Sequence, residues 1–148
     1  MEKLDQVLFF TLEKSIKKYR QFAQKQIDSA NIDITIDQWL VLKSIQDLPD
    51  ISQHQIAENV FKDYASVTRM IELLVKKDYL TRAFHATDRR RFNLIITKKG
   101  NSVLDKLIPI ITANRKQALK SLTKDDIEKN RAFLNRIIEN CKPGIGNL

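Results

Sequence analysis

The chain is poor in the residues that cross-link or interrupt a polypeptide. Its 148 residues include one cysteine, three glycines and three prolines. A single cysteine excludes an intramolecular disulfide and any cysteine-rich zinc module. It also makes a reducing, cytoplasmic setting the expected one. Because glycine and proline are so few, we expect long helices to dominate the fold.

Long hydrophobic runs are also absent. The longest, Leu107–Ile111, has five residues, whereas a membrane-spanning helix needs about 20. The first residues, Met1–Asp5, carry acids and lack the apolar segment of a secretory signal. The apolar content of 43% is enough for a core, and the length predicts one domain or one domain with a dimerisation extension.

No pattern in the chain argues for catalysis. There is no nucleophile–base arrangement, glycine-rich phosphate loop or carboxylate pair, so we expect no catalytic residue and no enzyme. His54 and His85 are too few and too far apart to predict a metal, and no cofactor is expected. Cys141 falls on the apolar stripe of the last helix, which favours a packed core thiol over the alternative, a redox sensor.

Hydrophobic spacing predicts four helices, two strands and two further helices. The predicted helices are 4–30, 36–47, 53–61, 64–77, 98–122 with an interruption at Pro109, and one that follows the capping residue Thr123; the predicted strands are 79–85 and 92–97. Thr35 and Ser52 are expected to cap the second and third helices. The apolar stripe of residues 4–30 is wide for a lone terminal helix, which indicates a partner chain.

The net charge of +8 is unevenly distributed along the chain. Residues 1–60 carry a net −2, residues 61–100 a net +6 and residues 101–148 a net +4. The basic excess is thus densest across the fourth helix and the two strands, as expected of a surface that faces phosphates. The alternative is a generally basic protein with solvated lysines.

The fourth helix has one apolar and one polar face. On a helical wheel, the apolar side chains are Val67, Met70, Ile71, Leu74 and Val75, and the opposite face carries Ala65, Thr68, Arg69, Glu72 and Lys76, with Ser66 and Leu73 at the border. Small residues near the N-terminus allow close approach to a major groove, and Arg69 can reach guanine or phosphate. Glu72 is either an acceptor for a cytosine amine or an ion-pair partner of Lys76. An ordinary surface helix remains the alternative.

Three consecutive arginines, Arg89, Arg90 and Arg91, lie on the short loop between the two strands. Such a loop suits the electronegative minor groove beside a major-groove helix. Asp88 can hold Arg90 through a carboxylate pair. A helix followed by a basic hairpin predicts a mainly α fold with a small two- to three-stranded β wing, that is, a winged helix-turn-helix with N- and C-terminal dimerisation helices.

Several motifs resemble the MarR (multiple antibiotic resistance regulator) family of bacterial transcription factors. They are Val67-Thr68-Arg69-Met70-Ile71, Leu74-Val75-Lys76-Lys77, Leu80-Thr81-Arg82, Asp88-Arg89-Arg90 and Thr97-Lys98-Lys99-Gly100, together with Gln55-Ile56-Ala57 in the short helix. The chain departs from the family at Asp78, where glycine is usual, and at Arg91, where a small residue is common. Because aspartate tolerates the left-handed conformation better than most residues, we expect the helix end at Asp78 to be kept.

The resemblance implies a homodimer whose two winged helices (32–100) bind a pseudo-palindromic operator in double-stranded DNA, while residues 1–31 and 101–148 form the dimer. It assigns base and phosphate contacts to Ser66, Thr68 and Arg69, and wing contacts to Asp88 and Arg90. With the neighbouring polar and basic positions, the expected DNA-binding residues are Ser52, Ala65, Ser66, Thr68, Arg69, Lys76, Asp88, Arg89, Arg90 and Arg91.

The family further implies repression, with activation as the alternative, and a small anionic or phenolic effector that binds between the dimer helices and the winged domain and relieves the repression. The aromatic residues expected to line that crevice are Tyr19, Phe22, Trp39 and Tyr64. Two other functions remain open from the sequence. One is a winged-helix protein-interaction module; the other is an architectural protein that binds DNA without sequence preference.

Overall fold

The computed structural model describes residues 1–84, 87 and 92–144, without the side chain of Phe92. Within these residues a short 3₁₀ turn, Leu4–Gln6, precedes six helices and two strands: α1 (Leu8–Ser29), α2 (Ile36–Asp47), α3 (Gln53–Val60), α4 (Tyr64–Lys76), β1 (Leu80–Phe84), β2 (Phe92–Ile96), α5 (Lys98–Ala118) and α6 (Lys124–Asn140). The predicted fold class, mainly α with a small β wing, is confirmed. The chain forms two compact units, 1–114 and 115–148.

The predicted helix caps are present. Thr35, Ser52 and Thr123 each accept a hydrogen bond from the backbone N–H three residues later, and the side chain at that third position bonds back to the cap. Each such cap stabilises its helix by about 1 kcal/mol. These local signals explain why the starts of α2, α3 and α6 agree with the sequence pattern.

The N-terminal helix differs from its prediction in two ways. Val7 is extended, at φ −79° and ψ 117°, so it separates the 3₁₀ turn from α1. Of the predicted apolar stripe only Ala23 and Ile27 are buried, whereas Leu8 and Ile16 are about half exposed. The C-terminal turns of α1 therefore join the core of this chain, and the N-terminal turns leave their apolar side chains uncovered.

The core of the first unit is made by the C-terminal turns of α1, by α2, α3 and α4, by the strands and by α5. Its most deeply buried side chains are Val41, Leu42, Ile56, Val60, Val67, Ile71, Leu74, Leu80 and Leu107. Each buried side chain of this size stabilises the fold by about 1.5–3 kcal/mol. Trp39 and Leu40 of α2 are half-buried and pack against this core.

The two strands pair antiparallel, with Leu80 opposite Ile96 and Arg82 opposite Leu94. Because side chains alternate along a strand, Leu80 and Leu94 face the core, while Ile95 is left exposed. α5 then runs from Lys98 through Pro109 without a break and ends at Ala118, so the predicted interruption is wrong. The position is exposed, where water can satisfy the carbonyl that proline leaves unpaired.

The second unit contains the end of α5 and α6. No side chain of α6 is buried, and among its described residues Phe133, Leu134 and Ile138 are well exposed. Cys141 is also exposed, which corrects the prediction of a packed thiol. The reason is that α6 ends at Asn140, so Cys141 is its C-cap and its helix has no buried apolar face within the chain.

Among the described residues, no helix combines the length and the apolar character needed to cross a membrane.

Candidate nucleic-acid interface

α3 and α4 are joined by a tight turn. Phe61 adopts a left-handed conformation with φ 59°, and the N–H of Lys62 donates to the carbonyl of Ala57 over 3.1 Å. Asp63 then caps α4, accepting a hydrogen bond of 2.7 Å from the N–H of Ser66. That backbone hydrogen bond is the main cause that holds the pKa of the Asp63 carboxyl below its usual value. The turn and cap determine where α4 begins.

The faces of α4 largely follow the helical wheel. Val67, Ile71 and Leu74 are buried, whereas Ala65, Arg69, Glu72 and Lys76 are exposed and Ser66 and Thr68 are half-buried. Val75 was predicted on the apolar face but is 37% exposed, because it lies at the edge of that face near the end of the helix. The predicted DNA-facing residues of α4 therefore share one surface, which carries two cations and small residues near its N-terminus.

The hydroxyl of Thr68 is already engaged in two hydrogen bonds, so it is less available to DNA than its place on the polar face predicted. Its hydroxyl donates to the carbonyl of Tyr64 over 3.1 Å and accepts from Nε2 of Gln53 over 2.6 Å. Gln53 is the first residue of α3 and was not among the predicted site residues. Nothing local in the sequence marks it, because its partner lies 15 residues away and depends on how the two helices cross.

A groove of about 580 Å³ lies between the outer face of α4 and β1. It is lined by Arg69, Glu72, Leu73, Val75, Lys76 and Arg82. Arg69 also donates to the hydroxyl of Ser66 over 3.3 Å. Arg82 was part of the family motif but not of the predicted site, and the structure brings it to the same groove as two predicted cations. The surface is thus positive on both the helix side and the strand side.

The C-terminal end of α4 is held by several polar contacts. Asp78 is left-handed, with φ 63°, as expected from its place where the MarR family has glycine. Nζ of Lys77 lies 3.0 Å from a carboxylate oxygen of Asp33 and 3.0 Å from Oε1 of Gln38. The hydroxyl of Tyr79 donates to the carbonyl of Asp33 over 3.0 Å. These contacts connect the end of α4 to the segment that precedes α2.

The segment between α1 and α2, which Lys77 and Tyr79 contact, is also contacted by α1. Gln24 of α1 donates to the carbonyl of Ile34 and accepts from the N–H of Ile36, each over 3.0 Å. Arg20 of α1 forms an ion pair with Asp37 at the start of α2. The backbone between α1 and α2 is therefore bound to α1 and to the end of α4 at once.

Ser52 is half-buried at the start of α3, and its hydroxyl oxygen accepts from the N–H of Gln55 over 3.2 Å. Its hydroxyl proton is not required by that cap. The wing residues Asp88, Arg89, Arg90 and Arg91 lie outside the described residues, so their predicted roles stay predictions.

The four predicted effector-pocket residues do not share one environment. Tyr19, Phe22 and Trp39 are half-buried, whereas Tyr64 is 46% exposed at the start of α4. The ring of Tyr64 lies 4.5 Å from that of His54, centroid to centroid. Two cavities of about 350 and 460 Å³ lie at the junction of α1 and α2, but they are lined by polar residues that include Gln24, Asp28 and Thr35. The pocket assignment stays a prediction.

Known proteins match both the sequence and the fold. The MarR family model matches residues 34–92. The HTH-type transcriptional regulator SarZ of Staphylococcus aureus (strain MRSA252) is 25% identical over 136 residues, which cover 90% of this chain and 88% of SarZ. Residues 34–92 contain α2, α3, α4 and β1, so the matched segment is the one that forms the candidate interface.

Two solved structures share the fold. A mutant of MarR from E. coli complexed with operator DNA superposes with a TM-score of 0.81 at 21% identity, covering 88% of this chain and 93% of that one. CouR from Rhodococcus jostii, bound to p-coumaroyl-CoA, gives a TM-score of 0.80 at 15% identity, covering 93% and 95% of the two chains. The family model, the SarZ relative and the shared winged-helix fold agree, so residues 34–92 of this chain form the winged-helix segment of the MarR family of transcriptional regulators.

Proposed function

We propose that this regulator is a homodimeric repressor that binds a pseudo-palindromic operator in double-stranded DNA. The outer face of α4 enters the major groove, and the wing reaches the adjacent minor groove. The observation that carries the proposal is the division of α4 into a buried apolar face and an exposed face on which Arg69 and Lys76 share a groove with Arg82 of β1. A polyanion is the ligand that such a surface suits.

Base contacts come from the N-terminal half of α4, where Ala65 and Ser66 allow close approach and Arg69 reaches a guanine edge or a phosphate. Lys76 contacts the backbone. Ser52 lies at the N-terminus of α3, where backbone N–H groups and the hydroxyl proton favour a phosphate. Asp88 orients Arg90 in the wing, and Arg89 and Arg91 add phosphate contacts. Phosphate neutralisation supplies most of the affinity.

Homodimerisation is supported by apolar side chains that each unit leaves exposed. On α1 these are Leu8, Phe9 and Ile16, and on α6 they are Phe133 and Ile138. Large apolar side chains left exposed at several positions of one helix mark an interaction surface in a folded protein. A second copy of the chain is the simplest partner, since two-fold dimers are the commonest closed assembly. Two-fold symmetry places the half-sites about one helical turn apart.

The proposed effector is a small anionic or phenolic molecule, and the proposed setting is the cytoplasm. The ligand-bound state of CouR supports an effector for this fold. Binding near Tyr19, Phe22 and Trp39 changes the spacing of the two winged helices and releases the operator. Tyr64 lies at the start of α4, so an effector that contacts it also contacts the proposed DNA surface.

The test is a genomic-fragment binding selection with purified protein at near-physiological salt. Arg90→Ala is run in parallel, with Arg131→Ala, an exposed arginine on α6, as a control of equal charge. We expect the parent and Arg131→Ala to recover one pseudo-palindromic motif and Arg90→Ala to lose most of its enrichment. If no motif is enriched, the protein binds DNA without preference or binds another protein. Enrichment that does not depend on Arg90 rejects the role of the wing.

A further inference from the structure

Gln53 connects α3 to α4, the recognition helix of the proposed function, at the surface that faces DNA in that function. Its Nε2 donates to Oγ1 of Thr68 over 2.6 Å and lies 3.4 Å from the carbonyl of Tyr64. Gln53 and Thr68 are both half-buried, so each keeps part of its side chain accessible. The short hydrogen bond between Gln53 and Thr68 is therefore partly shielded from water. It lies at the edge of the exposed face of α4.

The hydroxyl of Thr68 has little hydrogen-bonding capacity left for DNA. A threonine hydroxyl has one proton and two lone pairs. The proton is donated to the carbonyl of Tyr64, and one lone pair is occupied by Gln53. Thr68 therefore presents one acceptor lone pair and its methyl group, in a hydroxyl orientation that two hydrogen bonds determine. Without Gln53, only the hydrogen bond to Tyr64 orients the hydroxyl, and both of its lone pairs are unoccupied.

Gln53 itself retains an unused acceptor. Within the described part of the chain, no group donates to its Oε1. Because the hydrogen bond to Thr68 holds Nε2, it also fixes the position of Oε1. The side chain therefore needs little further ordering when DNA binds, which reduces the entropy lost on association. A fixed acceptor at the edge of a major-groove helix suits the amino group of adenine or cytosine, and a methyl group suits thymine.

We propose that Gln53 is a specificity-determining residue that acts together with Thr68 as one hydrogen-bonded reader of the operator. The inference rests on the proposed function, since it requires α4 to lie in the major groove. It assigns base discrimination to a residue outside the recognition helix. A purely structural link between α3 and α4 predicts something different: loss of Gln53 lowers stability or overall affinity but leaves the preferred bases unchanged.

The test repeats the binding selection with Gln53→Leu, Thr68→Val and the double variant. Leucine and valine keep the volumes and remove the polar atoms. Gln53→Glu serves as a second variant, because it keeps an acceptor at this position while it loses the donor to Thr68. Gln46→Leu is the matched control, since Gln46 is exposed on α2 and contacts Lys43. Circular dichroism and thermal unfolding show that each variant is folded.

We expect Gln53→Leu and Thr68→Val to reduce discrimination at the same base positions by about tenfold, as for one good base contact. The double variant should lose no more than the stronger single one, because the two side chains act as a unit. Gln46→Leu should keep the parental motif. Gln53→Glu should change the preferred bases rather than abolish binding.

Two results overturn the inference while the proposed function stands: a parental motif that Gln53→Leu leaves unchanged, or an equal loss of affinity for every sequence. If the parent protein itself selects no motif, the proposed function fails and this inference fails with it.

Discussion

Thr97 donates its hydroxyl proton to the backbone carbonyl of Asp78 over 2.6 Å, which connects the start of α5 to the turn that follows α4. The same hydroxyl oxygen accepts from the N–H of Gly100 over 2.9 Å and so caps α5. The backbone N–H of Thr97 donates to the carbonyl of Tyr79 over 3.1 Å. Thr97 therefore connects the two residues between α4 and β1 to the start of α5.

Replacing Thr97 with valine should remove both side-chain hydrogen bonds and keep the shape. We expect the free energy of unfolding to fall by about 1–3 kcal/mol, since a cap and a second hydrogen bond are lost. Chemical denaturation measures the change. Thr112→Val, at an exposed position within α5, is the control and should change stability little. Equal stability of the two variants contradicts this role for Thr97.

Gly100 leaves no room for a side chain. A Cβ at this position would lie 2.2 Å from the carbonyl oxygen of Tyr79 and 2.9 Å from Cγ2 of Ile96. Gly100→Ala must displace the backbone where β1, β2 and α5 meet, and we expect a loss of about 1–3 kcal/mol or more. Thermal unfolding beside Asn101→Ala, an exposed neighbour, checks the prediction. A rise in the melting temperature of Gly100→Ala, as expected from helix propensity alone, contradicts it.

Asp78 adopts a conformation that glycine accepts more readily, with φ 63°. Asp78→Gly should therefore raise the free energy of unfolding by a few tenths to about 1 kcal/mol. Asp78→Val should lower it, because a β-branched residue is strained in the left-handed region. Denaturation of the two variants beside the parent measures both signs. The same direction of change in both variants rejects backbone strain as the cause.

Acid should weaken the cap of α4. The hydrogen bond from the backbone N–H of Ser66 holds the pKa of Asp63 below 3.8. A carboxyl whose pKa is lower in the folded state adds stability above its unfolded pKa and loses it as pH falls through the folded pKa. Asp63→Asn keeps an acceptor oxygen but does not titrate, so its unfolding free energy should fall less than that of the parent as pH drops below about 4.

The control for Asp63 is Asp105→Asn, an exposed carboxyl on α5. This variant removes an exposed carboxylate without removing a helix cap. Parallel acid profiles for the parent and Asp63→Asn contradict a contribution from Asp63.

The exposed apolar side chains of α1 should be needed for self-association. Ile16 is 52% exposed, and Ile16→Glu places a charge where the proposed dimer buries apolar surface. We expect sedimentation to show a dimer for the parent at micromolar concentration and a shift to monomer for the variant. Lys18→Glu, on the same helix, is the charge control. A monomeric parent, or a dimeric Ile16→Glu, contradicts the predicted interface.

Much of the fold was predictable because its signals are local. The capping residues identified the starts of three helices, and the 3.6-residue period found the buried face of α4 through Val67, Ile71 and Leu74. The two β-rich segments on either side of Arg89–Arg91 predicted the antiparallel strand pair. The predicted strand ends differ from the observed ends by at most one residue. Caps, periodicity and strand alternation depend on residues within a few positions of each other.

Other features depended on how elements meet, and the tertiary structure decided them. The hydrogen bond between Gln53 and Thr68 spans two helices, and the contact of Lys77 with Asp33 spans 44 residues. Helical periodicity placed Val75 and Cys141 on apolar faces, but only the packing of neighbours determines which part of a face is covered. The sequence by itself thus determined the elements and the basic surface. The crossing of α3 with α4 determined which polar groups on that surface are already engaged, because such contacts depend on geometry between distant segments.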